Sequence, residues 1–273
     1  MSAANCPETP RQKMISMMYI VLTAMLALNV STDVLNGFTL VQESLNKTLH
    51  SAELKNTALY NQFDDLKAQN PQKVGEWLDK ANEVKKQTQA LYDEIEQLKV
   101  DMAKAADGET GDYHNLQSKD NTDVGAQIAL DSTKPQKEQR GVILKGNLNT
   151  YAQNMAKLLE GDSAKVASVL ETYNTEDRIV NGDPQSWETA RFISMPVSAC
   201  ITLLTKIQTD LRYTESEVVG HLKNAVDASD FRVNKITAEV IPVSSYITRG
   251  GTYQARIILA AVDSTQRPKI TLN

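Results

Sequence analysis

The sequence is poor in cysteine, aromatics, glycine and proline, and it has no strong excess of either charge. Its 273 residues include two cysteines, Cys6 and Cys200, too few for a disulfide framework. Nine Tyr, four Phe and two Trp are few for a β-sandwich and suit long helices better. Twelve Gly and eight Pro exclude a fibrous or linker-like chain, and 41% hydrophobic residues exclude a disordered one. A formal charge of −5, with 29 basic residues spread along the chain, speaks against nucleic acid as a partner. Mean hydropathy is −0.37, which excludes a multi-spanning membrane protein but leaves room for one apolar segment.

The chemical inventory is equally thin. There is no G-x-S-x-G, no phosphate-binding glycine loop, no Cys-x-x-Cys and no H-E-x-x-H. His50, His114 and His221 lie on different segments. Glu217 and His221 are four apart on one helix face, yet no third ligand is indicated, and a solvated pair is the expectation. No catalytic residue, metal site or cofactor is therefore assigned, and the chain is not expected to be an enzyme.

One segment departs from the average. Residues 14–30, MISMMYIVLTAMLALNV, hold no charge, and Ser31 and Thr32 extend the run. As a helix this spans about 26–29 Å, close to the roughly 30 Å of a hydrocarbon core. Arg11 and Lys13 precede it, and Asp33 and Glu43 follow. The positive-inside rule then predicts a cytoplasmic N-terminus over 1–13, a transmembrane helix over 14–32 and an exported remainder. A cleaved signal peptide is the alternative. Ala24 and Ala27 are poorly placed for its cleavage site and helical pattern continues past the run, so an uncleaved anchor is expected. Cys6 and Cys200 would then lie on opposite sides of the membrane. Cys200, beside Val197, Ile201 and Leu204, is expected as a small core residue.

The span carries polar groups: Ser16, Tyr19, Thr23 and Asn29. Ser16, Tyr19 and Thr23 are spaced to share a face, and Ala24 and Ala27 would let another helix approach closely. Such hydroxyls can bond their own helix backbone or a neighbouring helix. Arg11 is open to two readings, an ordinary topology signal or the counter-ion of a carboxylate on a partner helix. Residues 14–30 contain no acid, so this chain cannot supply that carboxylate itself.

Beyond the span the period is helical for almost two hundred residues. Val34, Phe38, Val41, Leu45, Ala52, Leu59 and Leu66 predict one stripe, with the helix running on from the membrane as a rod weakest at Gly37. A second helix is predicted from Asn70-Pro71 to Asp107-Gly108, with Val74, Trp77, Ala81, Val84, Thr88, Leu91, Ile95, Leu98 and Met102 as its seam. Residues 107–122 form a polar loop, followed by helical pattern over about 123–132. A third long helix is expected over about 136–160, and a shorter one from its cap Asp162 to about Tyr173. Asn181-Gly-Asp-Pro184 suggests a turn and a helix start carrying Trp187 and Phe192. The last long helix begins near Pro196, with Val197, Ile201, Leu204, Leu211, Val218, Leu222 and Ala225 on its seam. The fold class is thus mainly α: an elongated helical bundle over 33–229. Four alternating long helices would return the chain to the end where it entered, and the shorter segments leave that parity open. After Ser229 the period changes: residues 236–241, 252–259 and 269–272 read as strands, with Arg249-Gly250-Gly251 as a turn. Residues 230–273 are expected to begin a β-sandwich, Ig-like, domain that is truncated at Asn273.

Three runs carry a resemblance: Thr9-Pro-Arg-Gln-Lys-Met-Ile-Ser-Met-Met-Tyr19, Ala24-Met-Leu-Ala-Leu-Asn-Val-Ser31 and Val34-Leu-Asn-Gly-Phe38. Together they closely resemble the GldM/PorM family, the periplasm-spanning subunit of the Bacteroidetes motor for type 9 secretion and gliding motility. The resemblance implies a homodimer whose membrane helices sit inside a ring of a polytopic inner-membrane partner, GldL/PorL, which carries a proton-coupled glutamate. Arg11 falls at the arginine expected to pair with that glutamate, and Tyr19 at the tyrosine expected near the same site. It further implies that missing C-terminal domains pass motion to outer-membrane components. The alternative is a passive periplasmic scaffold, anchored by its signal segment and without energy coupling.

Overall fold

The computed structural model describes residues 9–28, 32–69, 71–180, 182–228, 235–242, 246 and 249–262. They form two compact units that divide between Leu222 and Lys223. The first is mainly helical.

Helix α1 spans Pro10–Leu28, α2 Thr32–Gln69 and α3 Pro71–Asp107. Proline at the first position of α3 costs nothing, since that amide has no partner within the helix. Gly108 ends α3 with φ 90°, its N–H donating to the Lys104 carbonyl at 2.9 Å. Short α4 (Asp123–Ala129) and a 3-10 turn (Gln136–Glu138) lead into α5, Arg140–Leu158. Asp162 caps α6 (Ser163–Thr172), accepting from the Lys165 amide at 3.2 Å. A small hairpin follows, β1 (Arg178–Val180) paired antiparallel with β2 (Asp183–Gln185), its turn passing through Gly182 at φ 93°. The helix start expected at Asp183-Pro184 is therefore a strand, and α7 is only Thr189–Phe192. Helix α8, Val197–Ala228, closes the bundle.

The membrane helix expected over 14–32 takes a different form in the described residues. Helix α1 begins four residues earlier, so its first turn holds Arg11, Gln12 and Lys13. No helix among the described residues is long and apolar enough to cross a membrane. Residues 29–31, where the run was to join the rod, lie outside the described residues, as does the capping position Asn70.

The seam predicted for α3 is buried at Val74, Ala81, Val84, Thr88, Leu91, Ile95, Leu98 and Met102, with Trp77 half-buried beneath Lys80. The stripe predicted for α2 is displaced. Its buried line runs through Leu35, Gln42, Asn56, Tyr60 and Phe63, while Val34 and Val41 are exposed. Polar Gln42 and Asn56 occupy that line because each reaches a partner: Gln42 donates to the Tyr113 carbonyl and Asn56 to the Arg212 carbonyl. On α8 burial extends beyond the seam of Ile201, Leu204, Gln208, Leu211, Glu215, Val218 and Leu222 to other faces, through Thr205, Thr209, Arg212, Ser216 and Val219. It is the central helix. Cys200 at its start is fully buried, and burial pushes its thiol up to about 12, as a small core residue requires.

Side-chain pairs fix the direction of each pass. Between α3 and α5, Thr88 meets Tyr151, Glu94 meets Asn147 and Asp101 meets Arg140, so the two run antiparallel. Between α3 and α8, Gln89 meets Arg212 and Glu96 meets Gln208, again antiparallel. Between α2 and α8, Phe38 meets Thr202, Asn56 meets Arg212 and Tyr60 meets Glu215, so these two run parallel. The leg formed by α6, the hairpin and α7 restores the parity. The chain enters the bundle at the start of α2 and leaves it at the opposite end.

The second unit contains β3 (Lys235–Pro242) and β4 (Ala255–Val262), antiparallel with Lys235 opposite Val262 and Pro242 opposite Ala255. Val240, Ile241, Ile257 and Leu259 are all exposed, so this ribbon shows apolar groups on both faces. The strand expected over 269–272 lies outside the described residues.

Close backbone approach gives a stability test. A Cβ on Gly125 would lie 2.8 Å from the Phe192 carbonyl oxygen and 2.9 Å from Cys200 Sγ. Gly125→Ala should destabilise the chain by about 1–3 kcal/mol, read as a lower denaturant midpoint at unchanged slope.

Candidate functional site

The site residues predicted from the sequence lie on and after α1, and the bundle carries a buried polar seam.

Helix α1 opens at Thr9, whose Oγ1 accepts from the Gln12 amide at 3.4 Å, with Pro10 at the first helical position. No acid lies in its first turn, and Arg11 and Lys13 stand there instead. Cations at a helix N-terminus oppose the macrodipole, so these residues are not explained by helix stability. Met14, Ile15, Met17, Met18, Tyr19, Ile20, Val21 and Leu22 are all at least half exposed, on every side of the helix. Arg11 and Tyr19 stand about 12 Å apart along the axis and about 80° round it. The Thr23 hydroxyl donates to the Tyr19 carbonyl at 2.7 Å, leaving the phenol out of that bond. Ser16 lies exposed one turn before Tyr19. Asn29 lies outside the described residues.

The seam is built on α8. Arg212 and Glu215 are 9% and 1% exposed, and Arg212 Nη1 donates to Glu215 Oε2 at 3.1 Å. Glu215 also accepts from Asn56 Nδ2 and from the Tyr60 hydroxyl, each at 2.9 Å. Arg212 Nη2 donates to Gln89 Oε1 at 2.7 Å, its Nε lies 3.5 Å from Glu53 Oε1, and its guanidinium stacks 4.6 Å from the Tyr92 ring. Two charges and five neutral or charged neighbours from three helices thus share one site. Burial, with the Glu215 carboxylate next, pushes the Tyr60 phenol far up, so Tyr60 acts as a donor. Burial likewise pushes Tyr92 up to about 12.

A second cluster lies one to two turns along. Glu96 accepts from Gln208 Nε2 at 3.0 Å, from Lys99 Nζ at 2.9 Å and from the Tyr113 hydroxyl. Lys99 also sits 4.3 Å over the Tyr113 ring. The loop after α3 is therefore strapped to the bundle, and the Val197 amide donates to the Asn121 carbonyl at its far end. Burial holds the Lys99 ammonium below the usual lysine range, with Glu96 opposing it. Burial alone would raise Glu96, but its bonds from Gln208, Tyr113 and Lys99 outweigh that and lower it.

Sequence pattern gave one signal for this seam. Gln208 and Glu215 stand at heptad positions between Ile201 and Leu222, where a seam built for apolar packing alone would carry neither. The histidines stay apart: His114 stacks on Tyr113 at 4.2 Å, and no group of acids, cysteines and histidines among the described residues is placed to hold a metal.

Residues 33–225 match the model of the GldM N-terminal domain, and residues 227–273 match that of the GldM second domain. The chain belongs to the GldM family. That membership gives it a role in the gliding-motility and type 9 secretion machinery, as a structural or motor-associated component. No curated protein matches the chain.

The Glu96 cluster predicts a specific acid sensitivity. A carboxylate held low in the fold contributes stability that is fully present above its ordinary value of 4.5 and is lost as pH falls through the lower folded value. Wild-type melting temperature should fall over that window, and Glu96→Gln should flatten the fall while lowering the neutral-pH value.

Proposed function

We propose that this chain is the periplasm-spanning subunit of a proton-motive-force-driven inner-membrane motor for type 9 secretion and gliding. In this reading α1, with the residues that follow it, anchors the chain in the inner membrane with its N-terminus in the cytoplasm. Two copies of the helix pair inside a ring of a GldL/PorL-type polytopic subunit. The bundle lies in the periplasm, and domains beyond it engage outer-membrane components.

The observation that carries the reading is α1 itself. A helix with large apolar side chains exposed on all sides is suited to lipid or to other apolar helices, not to water. Its basic first turn, unexplained by the helix dipole, suits a cytoplasmic edge and a carboxylate on a partner. Arg11 would hold such a carboxylate ionised, and its approach or withdrawal would govern proton uptake. Tyr19 would donate to the same polar site from farther along the helix, and Ser16, Thr23 and Asn29 would pack against neighbouring helices. The opposite-ended bundle supports the mechanical part, since a stiff helical body that receives force at one end can deliver it at the other.

Arg11→Ala and Tyr19→Phe should abolish or sharply reduce secretion and gliding while protein level and copurification with the polytopic partner stay normal. Activity retained by both variants at normal levels would leave the passive scaffold as the better reading.

A further inference from the structure

The chain path from α2 to α8 runs through residues 70–196, but the two helices also touch directly. Thr202 Oγ1, which donates to the Ser198 carbonyl of its own helix at 2.8 Å, also lies 3.3 Å from the Phe38 carbonyl near one end, and farther along Glu53, Asn56 and Tyr60 meet Arg212 and Glu215. Parallel neighbours loaded at opposite ends are in shear, and interlocked side chains between them resist the slip. An apolar heptad seam specifies register weakly, because a slide of one turn, about 5.4 Å, brings similar side chains together again. A buried ion pair does not tolerate that slide. It would leave Glu215, which is 1% exposed, without the Asn56 and Tyr60 donors that α2 supplies.

We propose that Arg212 and Glu215, with Glu53, Asn56 and Tyr60, form a register clamp that couples α2 directly to α8. Axial or torsional load then passes from the first helix of the bundle to the last without traversing the intervening passes. Gln89 and Tyr92 on α3 brace the Arg212 guanidinium from the other side, so the clamp holds its geometry from two directions. Arg212 and Glu215 are positioning residues in this scheme. The load itself rests on the function proposed above, whereas the register does not.

The test uses the purified full chain in detergent, with Cys6 and Cys200 replaced by Ser and Ala and spin labels at exposed Lys47 and Tyr213. Pulsed electron paramagnetic resonance should give one narrow distance in this background. In Arg212→Met/Glu215→Leu, apolar residues of similar size replace the pair and leave neither charge uncompensated, so the chain should still fold, with a lower melting temperature because Asn56 and Tyr60 lose their acceptor. The distance distribution should gain a second population displaced by about one turn, about 5 Å. Glu215→Gln keeps volume and shape but removes the charge, and should broaden the distribution; it decides the matter if the double variant does not fold. A single wild-type distance in every folded variant would overturn the clamp. Because the distance needs no motor, a register shift in a chain whose Arg11 and Tyr19 variants stay active would uphold the clamp while the energy-coupling reading falls.

Discussion

A buried carboxylate on the central helix constrains the rest of the bundle. A carboxylate cannot be taken out of water without donors, at a penalty of several kcal/mol for a lone ion. The donors to Glu215 come from Arg212 on its own helix and from Asn56 and Tyr60 on α2. Arg212 in turn needs acceptors, and takes Gln89 on α3 besides Glu215. Three helices must therefore meet at one level and one rotation. Tyr60 shows how far this reaches, since its hydroxyl also lies 3.3 Å from the Ala81 carbonyl and ties α2 to α3 just beyond their connection. The apolar seams above and below supply most of the burial, but a seam of Leu, Ile and Val leaves several registers nearly equal.

What was legible in the sequence follows from the same distinction. The α3 heptad could be read off because every seam position but Thr88 is apolar, and Thr88 pairs with Tyr151 inside the core. The α2 stripe was misplaced by one helical row because Gln42 and Asn56 look like surface residues until their partners on distant segments are known. Those partners lie 71 and 156 positions away, beyond any local pattern. The hairpin at Arg178–Gln185 was missed for a different reason. Asp-Pro is a good helix start, yet Gly182 at φ 93° turns the chain back and Ile179 pairs with Pro184 across a hairpin. Of the candidate site, the composition of α1 was open to inspection, whereas the carboxylate proposed to meet Arg11 would lie on another chain, which no spacing here encodes.

The two regions differ in how they treat charge. In α1 the basic groups stand at one end of an apolar helix and find no compensation from the dipole. Their role has to come from outside that helix. In the seam the charges are compensated inside the fold, by partners drawn from three helices. Such partners fix the relative geometry of those helices as well as their contact. Both regions thus suit a part whose work is positional.

The broken return leg fits that view. Passes α2, α3, α5 and α8 are long helices, and each of the first three places a side chain directly on α8 in the region of the seam: Asn56 and Tyr60, Gln89, and Tyr151, whose hydroxyl lies 3.5 Å from the Leu211 carbonyl. The leg between α5 and α8 is instead divided among α6, the hairpin and α7. It meets α8 through Tyr173 and Thr214, an uncharged hydroxyl pair at 2.9 Å. If load passes directly from α2 to α8 as proposed, this leg needs only to return the chain and cover the core. Breaks at Gly161 and Gly182 cost it stiffness without consequence, whereas the same breaks in α2 or α8 would let the clamp turn relative to the ends of the bundle.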